Sequence, residues 1–293
     1  MKILYGIQTT GNGHLSRAKE IIPKLTKRVQ TDVLLSGPKN NFDFNHPVRE
    51  HYKGFALYTS SKGNLNWLKT LFKNNLIRFF IEVYKCPVKE YDLVLNDFEP
   101  VTAWACVLRR KKCVGLSNQH AFSYDLEHSK NNKFFMIRWF VRLFATSTIS
   151  YGIYYKKINP RVFFPIIRSK VRALQKVTNT NPFFLVYLPG FKSKKLHTIF
   201  SKLSNYQWKI YSSEIKENST EANLHFAPIS EDAFLKDLAR CAGVVTAAGF
   251  TTTSEALYLK KPLLVIPLKN QIEQELNAFI LKKWGLVSSK ISK

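Results

Sequence analysis

Apolar and polar positions along the chain repeat one grammar twice: a short apolar run, then Gly, Asn or Pro, then a stretch whose apolar residues return at helical spacing. "KILYGIQ" (2–8) predicts a strand, and "SRAKEIIPKLTKR" (16–28) predicts the helix after it, kinked or shortened at Pro23. "TDVLLSG" (31–37), "YDLVLND" (91–97) and "KKCVGLSN" (111–118) predict later strands of this series. A second series runs through "PFFLVYLPG" (182–190), "QWKIYSS" (207–213), "ANLHFAPI" (222–229), "GVVTAAG" (243–249) and "PLLVIPL" (262–268). Strands separated by helices imply parallel sheets, so the pattern predicts an α/β protein of two domains. The boundaries expected are 1–164 for the first domain, 165–181 for a polar, basic linker and 182–293 for the second. Two such Rossmann-like domains, facing one another, would leave a cleft at the carboxyl ends of both sheets, where open α/β sheets bind ligands.

Composition narrows the class of function. The 293 residues are 45% hydrophobic, enough for two ordinary cores. Apolar runs are too short to cross a membrane, and "MKILYGIQTTG" turns polar too early for a signal peptide, so a cytoplasmic location is expected. Cys86, Cys106, Cys113 and Cys241 have no spacing typical of zinc and read as reduced, mostly buried thiols; no metal and no resident cofactor is expected. The formal charge of +25 points to phosphate, whether on nucleic acid, on anionic lipid or on a nucleotide.

Two stretches carry candidate chemistry. "TTGNGHLSRA" (9–18) follows the first strand, and its Gly11 and Gly13 let backbone approach a ligand while His14 opens a helix. "GFTTTSEALYLKKPLLVIPLKNQIEQELNA" (249–278) places Gly249, Phe250, Thr251, Thr252, Thr253 and Ser254 at a strand-to-helix turn whose hydroxyls and free N–H groups suit a diphosphate. Glu255 then suits a ribose, and Gln271, Glu273, Gln274 and Asn277 suit sugar hydroxyls. The competing reading makes the hydroxyl run a helix N-cap and Glu255 a capping-box carboxylate.

In their order, these residues resemble the donor-binding half of GT-B nucleotide-sugar glycosyltransferases, the group containing the peptidoglycan-precursor N-acetylglucosaminyltransferase and the plant-type UDP-glycosyltransferases. "GNGHLSRA", "NDFEP" (96–100) and "NQHAF" (118–122) also resemble a bacterial and archaeal branch of predicted glycosyltransferases. The resemblance spans nearly the whole chain. It implies a UDP-sugar donor as co-substrate, transfer to a hydroxyl acceptor with inversion, and His14 as the general base. Neutral imidazole suits that task, its ordinary pKa of about 6.5 lying near working pH. Asp97 is the first choice for the carboxylate that orients His14, and Glu99 the second. Gly11 and Gly13 would leave room for the donor phosphates, and Phe226, beside His225, would cover the base. Gln119 and His120 would line the acceptor side, with His120 either an alternative base or a structural histidine. The chain ends sooner after the donor motif than similar proteins do, so the expected C-terminal end is shortened. The first loop also lacks the denser glycine pattern of the peptidoglycan enzyme, so its acceptor does not carry over.

Two segments join aromatics to cations, residues 66–85 and 130–145. In the first, Leu68, Phe72, Leu76, Phe79, Phe80 and Val83 recur at helical spacing beside Lys69, Lys73, Arg78 and Lys85; in the second, Arg138 and Arg142 share a face. Such helices suit an anionic membrane surface, hence a lipid-linked or membrane-held acceptor, or else an ordinary core with solvated flanks. Nucleic acid is the less favoured use of the charge, because no RNA- or DNA-binding module is recognisable. A nucleotide-sugar epimerase and a non-catalytic nucleotide-sugar- or membrane-binding protein remain as alternatives.

Overall fold

The computed structural model describes residues 1–39, 44–56, 70, 74–125, 132–174, 182–269, 271–286 and 288–289. Leu68, Lys69, Phe72 and Lys73 lie outside them, as do residues 175–181 of the expected linker. The chain divides into two compact units, one of described residues up to Ile166 and one from Ile167 onward.

In the first unit the described strands are β1 (Lys2–Gln8), β2 (Gln30–Ser36), β3 (Glu50–Tyr52), β4 (Leu93–Asp97), β5 (Cys113–Ser117), β6 (Ile149–Ile153) and β7 (Val162–Phe163). They form one parallel sheet in the order β3-β2-β1-β4-β5-β6-β7. β1 is apolar along nearly its whole length because helices cover both faces of a central parallel strand. Strand order reverses direction between β1 and β4, and the register sets Ile7 opposite Asp97 at their carboxyl ends. Such a switch point opens a crevice for ligands. The described helices are α1 (Asn12–Thr26), α2 (Leu76–Lys85), α3 (Pro100–Leu108), α4 (Asn118–Asp125) and α5 (Asn132–Phe144).

Two local readings change. α1 begins at Asn12 rather than Ser16, with Gly11 as its N-cap at φ 86°, so Gly13 and His14 lie in its first turn. Only glycine adopts that φ without strain, and the first-turn N–H groups need no intrahelical partner, which tolerates Gly13. Pro23 neither stops nor shortens the helix, which continues through Thr26. "NQHAF", just beyond the strand, opens α4.

The second unit contains β8 (Phe183–Tyr187), β9 (Gln207–Ser212), β10 (Ser219–Glu221), β11 (Leu224–Pro228), β12 (Gly243–Thr246), β13 (Leu263–Val265) and β14 (Ser288–Ser289). Their order is β10-β11-β9-β8-β12-β13-β14, antiparallel only at the β10–β11 edge. Helices α6 (Ser169–Arg172), α7 (Ser193–Phe200), α8 (Glu231–Arg240), α9 (Phe250–Tyr258) and α10 (Ile272–Lys283) complete it. The four cysteines are free and buried.

Candidate active site

At the switch point of the first unit, three side chains from two elements meet. His14 and Arg17 stand three residues apart on α1 and therefore share a face, which lies toward the end of β4. His14 Nδ1 is 2.7 Å from Asp97 Oδ1. Arg17 grips the same carboxylate with both arms, Nε donating to Oδ2 at 2.8 Å and Nη2 to Oδ1 at 2.5 Å. Asp97 is fully buried, and Tyr5 on β1 approaches it through its hydroxyl at 3.4 Å. Burial alone would raise the Asp97 carboxyl; the charge of Arg17, then His14 and the hydrogen bonds from both, outweigh it and hold the pKa at about 2.

An ionised Asp97 decides the tautomer of His14. Nδ1 carries the hydrogen and donates it to Oδ1, leaving the Nε2 lone pair for another group. Arg17 Nη2 also lies 2.9 Å from Nδ1, but both atoms are donors addressed to one oxygen and do not bond each other. Among the described residues Nε2 has no partner.

Glu99 does not join this group, which corrects its place as second choice. It is the N-cap of α3, its carboxylate accepting from the N–H of Val101 at 2.5 Å and from both N–H and hydroxyl of Thr102 at 2.7 and 2.6 Å. Burial raises its pKa against these hydrogen bonds. The residue between the two acids, Phe98, sits at φ 54°, a conformation side chains rarely adopt. That turn lets Asp97 face α1 while Glu99 caps α3. The Phe98 ring stacks on His14 at 6.4 Å between centroids and meets His120 edge-on at the same separation.

Arg17 is the functional residue missed from sequence. Its signal was available: in "GNGHLSR" it stands at i+3 from the histidine. Gln119 and His120 are both buried at the start of α4, and Arg17 reaches their neighbour Asn118 at 3.5 Å. Burial drives His120 down to about 4, the Asp97 charge raising it and the Arg17 charge lowering it by lesser amounts. It is therefore a neutral group at ordinary pH.

The second unit revises several donor assignments. Gly249 is the N-cap of α9 with open space where a Cβ would stand, and no side chain caps the helix. Thr251 and Thr252 are half-buried in its first turn. Thr253 is turned inward, its hydroxyl donating to the carbonyl of Gly249 at 2.8 Å, while the buried Ser254 hydroxyl has no partner among the described residues. Phe250 is buried. Glu255 lies beyond the first turn, so it is not a capping-box residue. It is 1% exposed, and Arg168 donates to each of its oxygens at 2.6 Å, so the carboxylate is held in a buried ion pair rather than presented at the surface as the ribose assignment expects. Burial lowers the Arg168 pKa, and the hydrogen bonds and charges of Glu255 and Glu231 more than restore it.

Gln274 and Asn277 also differ from expectation. Gln274 accepts from the N–H of Leu268, and Asn277 donates to the carbonyl of Ala248, each at 2.9 Å, so both hold loops at the carboxyl ends of the strands. Gln271 is the N-cap of α10, and Glu273 lies half-buried in its first turn. Phe226 is a core residue stacked on His197 at 6.3 Å, because strand alternation turns it inward and leaves His225 outward against Thr220 and Gln207. No cluster of His, Cys, Asp or Glu among the described residues is arranged to hold a metal.

Two parallel α/β units with chemistry at the switch point define a class, and solved structures of that class match along the chain. UGT2 of Phytolacca americana, complexed with UDP-2-fluoro-glucose and pterostilbene, is 13% identical with a TM-score of 0.64 over 100% of this chain and 86% of that one. The glycotransferase of kitacinnamycin is 13% identical at 0.63, over 99% and 86%. CalG4, the calicheamicin glycosyltransferase, is 12% identical at 0.62, over 99% and 85%. The fold is that of GT-B glycosyltransferases. The profile of glycosyl transferase family 1 matches residues 1–292, and the chain belongs to that family. No curated protein sequence is significantly similar to it.

Proposed function

We propose that this glycosyltransferase moves a sugar from a UDP-linked donor to a hydroxyl acceptor, with inversion and without a metal ion. The observation that carries the reading is His14 held by an ionised Asp97 with Nε2 left over, the arrangement a general base requires. The acceptor O–H gives its proton to Nε2 as its oxygen attacks the anomeric carbon. The bond from that carbon to the diphosphate breaks on the opposite side, and the leaving group takes the electron pair. Asp97 stabilises the imidazolium that forms, and Arg17 keeps Asp97 ionised. On the second unit, Thr251, Thr252 and the first-turn N–H groups of α9 receive the diphosphate charge.

A membrane-held acceptor is part of this reading. No described helix is long and apolar enough to span a membrane. On α2, however, Phe79 and Val83 pack into the core while Ile77, Phe80 and Tyr84 are 76%, 61% and 67% exposed. Arg109 stacks over the Tyr84 ring at 4.7 Å, so cations border this apolar face, as at a headgroup interface.

The test pairs binding with turnover. Calorimetry should detect saturable UDP binding to wild type and to His14→Ala alike, with turnover of a screened UDP-sugar and acceptor lost only in the variant. Retained turnover in His14→Ala removes the base. Interconversion of the free donor without an acceptor establishes an epimerase instead. Sedimentation with phosphatidylglycerol vesicles, compared between wild type and Phe80→Ser, tests the membrane part; equal sedimentation refutes it.

A further inference from the structure

Beside His120 the first unit contains a cavity of about 480 Å³. Its wall is built by elements distant in sequence: Arg138 and Arg142 from α5, Arg161 from the turn before β7, Ser147 and Ser150 around the start of β6, and His120 from α4. Three guanidinium groups line one cavity, and no carboxylate lines it among the described residues. Arg138 and Arg142 stand four residues apart, a spacing at which like charges on a helix repel. Neither Arg142 nor Arg161 has an ion-pair partner among the described residues.

His120 supplies an independent sign. It is 3% exposed, and its Nε2 has no hydrogen-bond partner among the described residues. A buried polar atom without a partner carries a desolvation cost that a ligand relieves. Nε2 packs over Gly115, beside Ser147 Oγ, where any side chain at position 115 would collide with it. The neutral ring can present an N–H there, next to a hydroxyl pair, Ser147 and Ser150, 2.8 Å apart. Guanidinium forks, hydroxyls and an N–H donor suit the several acceptor oxygens of a phosphate.

We propose that this cavity binds a phosphate-bearing group. The proposal stands on the cavity itself and needs no glycosyl transfer.

The experiment follows the histidine ring nitrogens by NMR in the full chain during titration with inorganic pyrophosphate, the His120 signal being assigned by its absence in His120→Asn. Saturable movement of that signal in wild type is expected. In Arg142→Gln/Arg161→Gln the dissociation constant should rise at least tenfold, while UDP binding measured by calorimetry stays unchanged. Both arginines are exposed, so these variants should fold, and Arg142→Lys/Arg161→Lys should recover part of the affinity. An unmoved His120 signal, or equal affinity in the glutamine variant, overturns the proposal. A second arm replaces pyrophosphate with phosphatidylglycerol vesicles. Displacement of bound vesicles by pyrophosphate identifies a lipid phosphate, and vesicles without effect identify a soluble phosphorylated ligand. Pyrophosphate binding without any transferase turnover keeps this site and removes only the earlier reading.

Discussion

Asp97→Asn is the perturbation that tests the His14 group most directly, because its energetic signature depends on pH in a calculable way. The carboxyl lies near 2 in the fold against 3.8 ordinarily, and at about 1.36 kcal/mol per decade the charged form stabilises the fold by about 2–3 kcal/mol. A lowered folded pKa means that this stabilisation is complete above the unfolded pKa and is lost as pH falls through the folded one. Between pH 5 and pH 3, integration over the two pKa values removes about 1 kcal/mol from wild type. Asparagine does not titrate, so the stability difference between wild type and Asp97→Asn should shrink by that amount. With a urea dependence of about 2 kcal/mol per molar, the two midpoints approach by about 0.5 M. The assay is urea denaturation read by pulse-labelled hydrogen exchange of peptides from β1 and β4, with the pulse at one common pH. At neutral pH the variant should also lose about 3–5 kcal/mol, because the buried Arg17 is left without its counter-charge. A midpoint difference that does not change between pH 5 and pH 3 would refute the reasoning.

Glu99→Ala should cost about 1–2 kcal/mol, since it leaves the first N–H groups of α3 uncapped; a thermal midpoint equal to wild type would deny the carboxylate its capping role. Arg168→Ala should cost about 3–5 kcal/mol by stranding the Glu255 carboxylate, and Arg168→Met/Glu255→Met should regain most of that loss. Additive effects in that double-mutant cycle would show the pair to be uncoupled.

Legibility from sequence varied with the range of the interaction. Strands β1, β2, β4 and β5 of the first unit, β8, β9, β11, β12 and β13 of the second, and the parallel character of the sheets followed from apolar runs separated by helical periodicity, whereas the short or edge strands β3, β6, β7, β10 and β14 did not. Gly11 was visible as a backbone device, and the histidine three residues on was visible as chemistry. The start of α1 was misplaced because two glycines read as a loop, although a helix tolerates Gly in its first turn. Glu255 was read toward a ribose because "TTTSEA" carries no sign of Arg168, which stands in a basic stretch that local pattern assigns to a linker. Phe226 was placed on a ligand because an aromatic beside a histidine does not declare which of the two faces the core.

The sequence by itself determined the local elements, their two-fold repetition and the cationic character of the chain, since each depends on nearest neighbours, periodicity or a sum over residues. Tertiary structure decided the partnerships. His14 meets Asp97 across 83 residues, and Arg168 meets Glu255 across 87. Such meetings depend on which strands lie adjacent, on register and on the rotational phase of each helix. Those are set by packing of the whole core, so Asp97 rather than Glu99 holds the histidine although only Phe98 separates them.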